Sequence, residues 1–188
     1  MCQSSVIFDL DGTITKPYLN FDAVRAEIGV AGPILEAMEG MNTEERKRVE
    51  TVLQRYEREA AENASLQDGA IDVLAACRAR GFPIAILTRN SKPNVHMVME
   101  KFGVRVDALR TREDGAIKPS PDPILSLCDE LGANPRQSWM VGDFLFDIQC
   151  GRAAGTHTVL MIGDAPRPKF ADQADHVIRR LDQLLPLL

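Results

Sequence analysis

Short apolar runs closed by polar or glycine residues recur along the chain, and their spacing predicts most of the architecture. Ser5-Val6-Ile7-Phe8 leans toward β structure and runs into Asp9-Leu10-Asp11-Gly12-Thr13. The Asp-Gly pair marks a turn, so the segment reads as a buried strand entering a loop. Pro83–Leu87, Ser138–Val141 and His157–Ile162 repeat the pattern as candidate core strands. Between them lie helical segments. Those from Gly69 to Arg80, Lys92 to Phe102 and Pro121 to Leu131 stop at Gly81, Gly103 and Gly132, and one near Leu145 to Ala154 stops at Gly155. Strands alternating with helices imply a parallel sheet with right-handed crossovers.

From about Lys16 to Leu66 this rhythm breaks, because helical patterns appear with no convincing strand among them. The stretch reads as an insertion. Its clearest element starts at Asn42, with Glu45 three residues on as a capping box, and places Val49, Val52, Leu53, Tyr56 and Ala60 on one face. Arg46, Lys47 and Arg48 could attract an anion, but Glu44, Glu45 and Glu50 are interspersed and favour a solvated face.

Composition narrows the class. The chain has 188 residues, 45% hydrophobic and 26% charged, which suits one globular domain with a sizeable core and an insertion that does not stand alone. A net charge of −5 argues against nucleic acid or an anionic membrane surface as partner, since both call for a basic field. No apolar run approaches the roughly 20 residues of a membrane span, and Met1–Ser5 lacks the basic start of a targeting segment, so a cytoplasmic protein is expected. Cys2, Cys77, Cys128 and Cys150 are scattered and read as free thiols. His96, His157 and His176 are isolated, and no Gly-x-Ser-x-Gly elbow supports a serine triad. Nothing in the sequence sets an oligomeric state.

Open parallel sheets bind ligands beyond the carboxyl ends of their strands. Asp9 and Asp11 follow the first apolar run, Thr88-Arg89-Asn90 the second, and Gly142-Asp143, with Asp147 beyond, the run ending at Val141. Lys118-Pro119 precedes the helix at Pro121. Each alone has a plain structural role: a turn at Asp11-Gly12, helix caps at Asp143 and Thr88, a surface charge at Lys118. Together they are coherent. Asp9 and Asp11, two residues apart, share a side of an extended chain, and Asp143 adds a third carboxylate. Such crowding calls for a cation or a retained proton. Mg2+, which prefers oxygen ligands and bridges carboxylates to phosphate oxygens, fits best and implicates a phosphate-bearing partner.

Asp9-Leu10-Asp11-Gly12-Thr13 resembles the first motif of the haloacid dehalogenase-like hydrolase superfamily. Thr88 resembles the second, Lys118 in Lys118-Pro119-Ser120-Pro121-Asp122-Pro123 the third, and Gly142-Asp143-Phe144-Leu145-Phe146-Asp147 the fourth. The tail Ile148–Gly155 is similar to the phosphoglycolate phosphatase-like branch. The resemblance implies an α/β fold: a Rossmann-like parallel sheet sandwiched by helices, formed by residues 1–15 and 67–188, with a small α-helical cap, residues 16–66, inserted after the first strand. It implies Mg2+ held by Asp9, Asp143 and the Asp11 backbone carbonyl. Asp9 is the expected nucleophile and Asp11 the general acid and base. Lys118, Thr88 and the Arg89 amide are expected on the phosphoryl oxygens, and Asn90 is a weaker candidate there. Asp147 is expected outside the metal shell, orienting a water or holding Lys118, and Thr13 is expected to buttress the first loop through its hydroxyl or to act as a cap.

The implied activity is Mg2+-dependent hydrolysis of a small phosphorylated metabolite through an aspartyl-phosphate. A phosphomutase with the same nucleophile and a non-catalytic regulatory domain of the same fold are the alternatives. Two departures bear on substrate identity: Phe144 stands where a small Ser is common, and Thr15-Lys16-Pro17 replaces the usual Asp-Ser pair.

Overall fold

The computed structural model describes residues 3–188. Cys2, one of the four expected thiols, lies outside the described residues. Six strands form one parallel sheet: β1 (Val6–Phe8), β2 (Ile84–Leu87), β3 (Ala108–Arg110), β4 (Trp139–Gly142), β5 (His157–Met161) and β6 (His176–Ile178). Their order is β3-β2-β1-β4-β5-β6, so β1 is the point from which the chain winds outward in both directions. The four apolar runs of the sequence are the four inner strands. The two edge strands, β3 and β6, are three residues each and had no apolar run to announce them.

Every residue of β1 and β2 is buried, as a strand covered on both faces must be. Alternate side chains enter opposite layers. Val6, Phe8, Ile84, Ile86 and Val141 pack with Val73 and Leu74 of α4 (Ala70–Ala79) and Val95 and Val98 of α5 (Lys92–Phe102). Ile7, Ala85, Leu87 and Met140 pack on the other side with Ile124 and Leu127 of α6 (Asp122–Glu130) and Cys150 of α7 (Leu145–Ala154). Helices therefore sandwich the sheet. α7 lies close because Gly151 faces β4 and β5: a Cβ there would come 2.6 Å from Thr158 Cγ2.

Three helices separate β1 from α4: α1 (Phe21–Ile28), α2 (Ile34–Glu39) and α3 (Thr43–Glu62). They share a small apolar cluster of their own, Val24, Ile28, Ile34, Val49 and Leu53. The capping box at the start of α3 is formed: Asn42 Oδ1 accepts from the Glu44 and Glu45 amides, both at 3.0 Å, and Glu45 accepts from the Asn42 amide at 3.2 Å. The apolar stripe continues past Leu53 through Ala60 and Ala61, and Ala61 joins the main core. Lys101 Nζ donates to the Glu62 and Ala64 carbonyls at 2.7 and 2.9 Å, placing a cation at the negative end of α3. Among the described residues no helix is long and apolar enough to cross a membrane.

Candidate active site

Asp9 is the residue after β1, and its amide still donates to the Val141 carbonyl of β4 at 2.8 Å, so its side chain leaves the sheet at a fixed angle. The chain then doubles back around one acceptor. The Leu10 carbonyl takes the amides of Ile14 and Thr15 at 3.0 and 2.9 Å and the Thr15 hydroxyl at 3.1 Å. Gly12 makes this turn at φ +92°, and Asp143, after β4, presses against it: a Cβ on Gly12 would meet Asp143 Oδ2 at 2.2 Å. Only glycine lets the two acidic segments approach so closely.

Lys118 arrives from the loop between β3 and α6 and is buried. Its ammonium donates to Asp9 Oδ1 at 2.5 Å, Asp147 Oδ1 at 2.6 Å and the Leu87 carbonyl at 2.9 Å, so all three of its protons are committed. Asp147, in the first turn of α7, uses its other oxygen to accept the Phe144 amide at 2.9 Å. With both oxygens engaged it stands behind Lys118. Gly142 makes room for it, since a Cβ there would lie 2.2 Å from Asp147 Cγ.

On the β2 side, Asp11 Oδ2 accepts from Asn90 Nδ2 at 3.0 Å and from the Thr88 hydroxyl at 3.4 Å. Thr88 itself is fixed by the Asn90 amide at 3.0 Å. Asn90, the weaker candidate for the phosphate, directs its side-chain amide to Asp11, with its side-chain oxygen held by the Ser91 amide. One sequence expectation needs correction: the Thr13 hydroxyl, expected to buttress the loop or act as a cap, is buried and makes no hydrogen bond among the described residues; Thr15 braces the loop instead.

Electrostatics follow from gathering four carboxylates, Asp9 and Asp147 buried and Asp11 and Asp143 half-buried, around one ammonium. Burial pushes Asp9 up to about 7, with Lys118 pulling it down and Asp147 and Asp11 adding to the rise. Burial and then the Asp9 charge hold Asp143 well above the usual carboxylate range. Asp11 is also raised by burial, against the opposing bond from Asn90. Burial works against the charge on Lys118, but Asp147 and Asp9 outweigh it and hold its pKa above the ordinary lysine value. The cluster is short of positive charge, a deficit that a divalent ion relieves.

Among the described residues no three His, Cys, Asp or Glu side chains already surround a common point. That is compatible with Mg2+, which keeps several waters and needs only one or two carboxylates from the protein. Asp9 and Asp143 are suited to the task, being mutually repelling, raised in pKa and brought together by Gly12.

Two ion pairs join the helical insertion to the strand ends, and neither was anticipated from the sequence. Arg89 donates to Glu36 of α2 at 2.6 Å and to the Lys118 carbonyl at 3.0 Å, with its guanidinium 4.6 Å from the Phe146 ring centre. Arg112, just past β3, donates to Glu57 of α3 at 2.5 Å. Burial pushes Glu57 up to about 7 against the pull of Arg112, with the Asp11 charge adding to the rise. The signals were present. Glu57 is a charged residue four positions beyond Leu53 on the apolar stripe, and Arg112 would have stood out as a strand-end residue had β3 been recognised.

The Haloacid dehalogenase-like hydrolase family model matches residues 28–161. An uncharacterized hydrolase of Saccharomyces cerevisiae is 31% identical over 166 residues, spanning 84% of this chain and 76% of that protein. A phosphoglycolate phosphatase of Rhodospirillum rubrum is 26% identical over 189 residues, spanning 84% of this chain and 78% of its own length. The crystal structure of a hydrolase from Pseudomonas syringae superimposes with a TM-score of 0.82 over 98% of both chains at 19% identity. These likenesses agree with the order of the four acidic, hydroxyl and lysine motifs around the sheet. The chain belongs to the haloacid dehalogenase-like hydrolase family.

Proposed function

We propose that this hydrolase is a Mg2+-dependent phosphatase acting on a small phosphomonoester, with Asp9 as nucleophile. The observation that carries the reading is the placing of Lys118 between buried Asp9 and Asp147, with half-buried Asp11 and Asp143 beside them, in a group that lacks positive charge. Asp9 Oδ1 is held by the ammonium, which leaves Oδ2 to attack phosphorus in line. The new Asp9–phosphorus bond forms as the bond to the leaving alkoxide breaks, and Asp11 gives that alkoxide its proton. Burial raises Asp11, so it retains a proton more readily than an exposed aspartate. Asp11 then takes a proton from water, whose oxygen attacks the aspartyl-phosphate and restores the Asp9 carboxylate. Asn90 and Thr88 fix Asp11 for both steps.

Asp9, Asp143 and the Asp11 backbone carbonyl would hold Mg2+, which when bound screens the repulsion between an anionic nucleophile and an anionic ester. The Arg89 amide is suited to a phosphoryl oxygen, and Lys118 and Thr88 would join it by turning a donor from Asp9 and Asp11 as the substrate enters. Residues 16–66 serve as a small cap over the leaving-group side, fastened by Glu36 and Glu57, over a core of residues 1–15 and 67–188. A cytoplasmic setting belongs to this reading, supported by Cys77, Cys128 and Cys150, which are unpaired and buried.

The test is turnover of p-nitrophenyl phosphate by the purified chain. Hydrolysis that requires Mg2+ and stops on chelation is expected. No hydrolysis at any Mg2+ concentration would overturn the proposal.

A further inference from the structure

Glu57 is 94% shielded from solvent, yet only one of its oxygens is satisfied: Oε1 takes Arg112, and Oε2 is buried and accepts no hydrogen bond among the described residues. A buried carboxylate oxygen left without a donor is unfavourable unless a ligand completes it. Its place in the fold says which ligand. Arg112 donates its amide to the Asn90 carbonyl at 3.3 Å, and Asn90 holds Asp11, so a short chain of contacts leads from Glu57 to the expected proton donor. Glu57 is also near enough to Asp11 for their charges to repel.

Resting on the phosphatase reading, we infer that Glu57 Oε2 is the leaving-group subsite and selects esters whose alcohol carries a hydrogen-bond donor, a hydroxyl or an ammonium, near the phosphate. The same geometry rejects a carboxylate there. The two guanidiniums that pair with the insertion from the strand ends already hold carboxylates, Arg89 that of Glu36 and Arg112 that of Glu57. An incoming carboxylate would meet Glu57 and Asp11, with neither of those guanidiniums free to receive it. A site built to hydrogen-bond a donor discriminates strongly against an analogue lacking it, because the buried acceptor is then left bare.

The experiment compares kcat/KM for glycerol 1-phosphate, O-phosphoethanolamine, phosphoglycolate and p-nitrophenyl phosphate in the wild type and in Glu57→Gln. The wild type should prefer one of the first two over phosphoglycolate by tenfold or more. Whichever of them leads identifies the donor as hydroxyl or ammonium. In Glu57→Gln the ratio of the preferred donor-bearing ester to p-nitrophenyl phosphate should fall at least tenfold. A purely structural role would lower all esters alike and leave that ratio unmoved, which would overturn the subsite. Preference for phosphoglycolate in the wild type would overturn it too. Failure of the phosphatase reading looks different: no ester, the aryl phosphate included, would then be turned over, and the subsite would fall with it.

Discussion

Lys118 and Asp147 form a fully buried ion pair, 2.6 Å from Nζ to Oδ1, and the same ammonium reaches Asp9 at 2.5 Å. Asp147 thereby fixes the cation that fixes Asp9, and its second oxygen ties the arrangement to the first turn of α7. A charge placed at the carboxyl edge of β1 is thus set by residues from three separate segments of the chain.

Replacing Lys118 with Met leaves Asp9 with burial and the repulsion of its neighbours alone, so its folded-state pKa rises further above the unfolded one. A carboxyl raised in this way contributes stability that is fully present below its unfolded value, about 4 for Asp, and lost as pH rises through the folded value. The penalty of Lys118→Met should therefore grow with pH, reaching about 3–5 kcal/mol near neutrality. Urea unfolding at a series of pH values reads it. A penalty that shrinks as pH rises would contradict the charge balance described for the site.

Asp9 at about 7 and a raised Asp143 must both lose protons to ligate a cation. Mg2+ affinity should climb by about tenfold or more per pH unit below about pH 7 and level off only once Asp143 has also lost its proton, with protons released on binding. Titration calorimetry in buffers of different ionisation enthalpy measures both quantities. Affinity independent of pH over this range would mean that these carboxylates are not the ligands.

Gly12 and Gly81 separate backbone strain from steric contact. Both have positive φ, +92° and +84°, but a Cβ on Gly12 meets Asp143 at 2.2 Å whereas one on Gly81 meets nothing within 4 Å. Each Ala substitution should cost about 1–3 kcal/mol through its backbone. Only Gly12→Ala should also move Asp143, lowering Mg2+ affinity and turnover by more than tenfold, while Gly81→Ala keeps both. Equal effects on turnover would refute the close approach of Asp143.

What the sequence could reveal followed from burial. β1, β2, β4 and β5 lie between neighbours and under helices, so nearly all their residues are apolar and the runs stand out. β3 and β6 pair on one side only, and a three-residue edge strand such as Ala108–Arg110 can carry arginine and still belong to the sheet. Losing β3 also hid Arg112. The strand-end rule brought Asp9, Asp11, Thr88 and Asp143 into view because position in the sheet sets where they sit. It could not say where a side chain turns: Asn90 went to Asp11 and Arg89 to Glu36, partners far away along the chain, and the Thr13 hydroxyl makes no hydrogen bond among the described residues. Glu57 was passed over because the helical stripe was read for its apolar members alone.

The claim on which the chemistry rests is that the phosphoryl group passes through the Asp9 side chain. Rapid acid quench during turnover, followed by mass spectrometry of the peptides, tests it most directly. A phosphoryl group should be found on Asp9 in the wild type and be absent in Asp9→Asn, which should still fold and should not turn over. Phosphorylation of a different residue, or turnover retained in Asp9→Asn, would contradict the account.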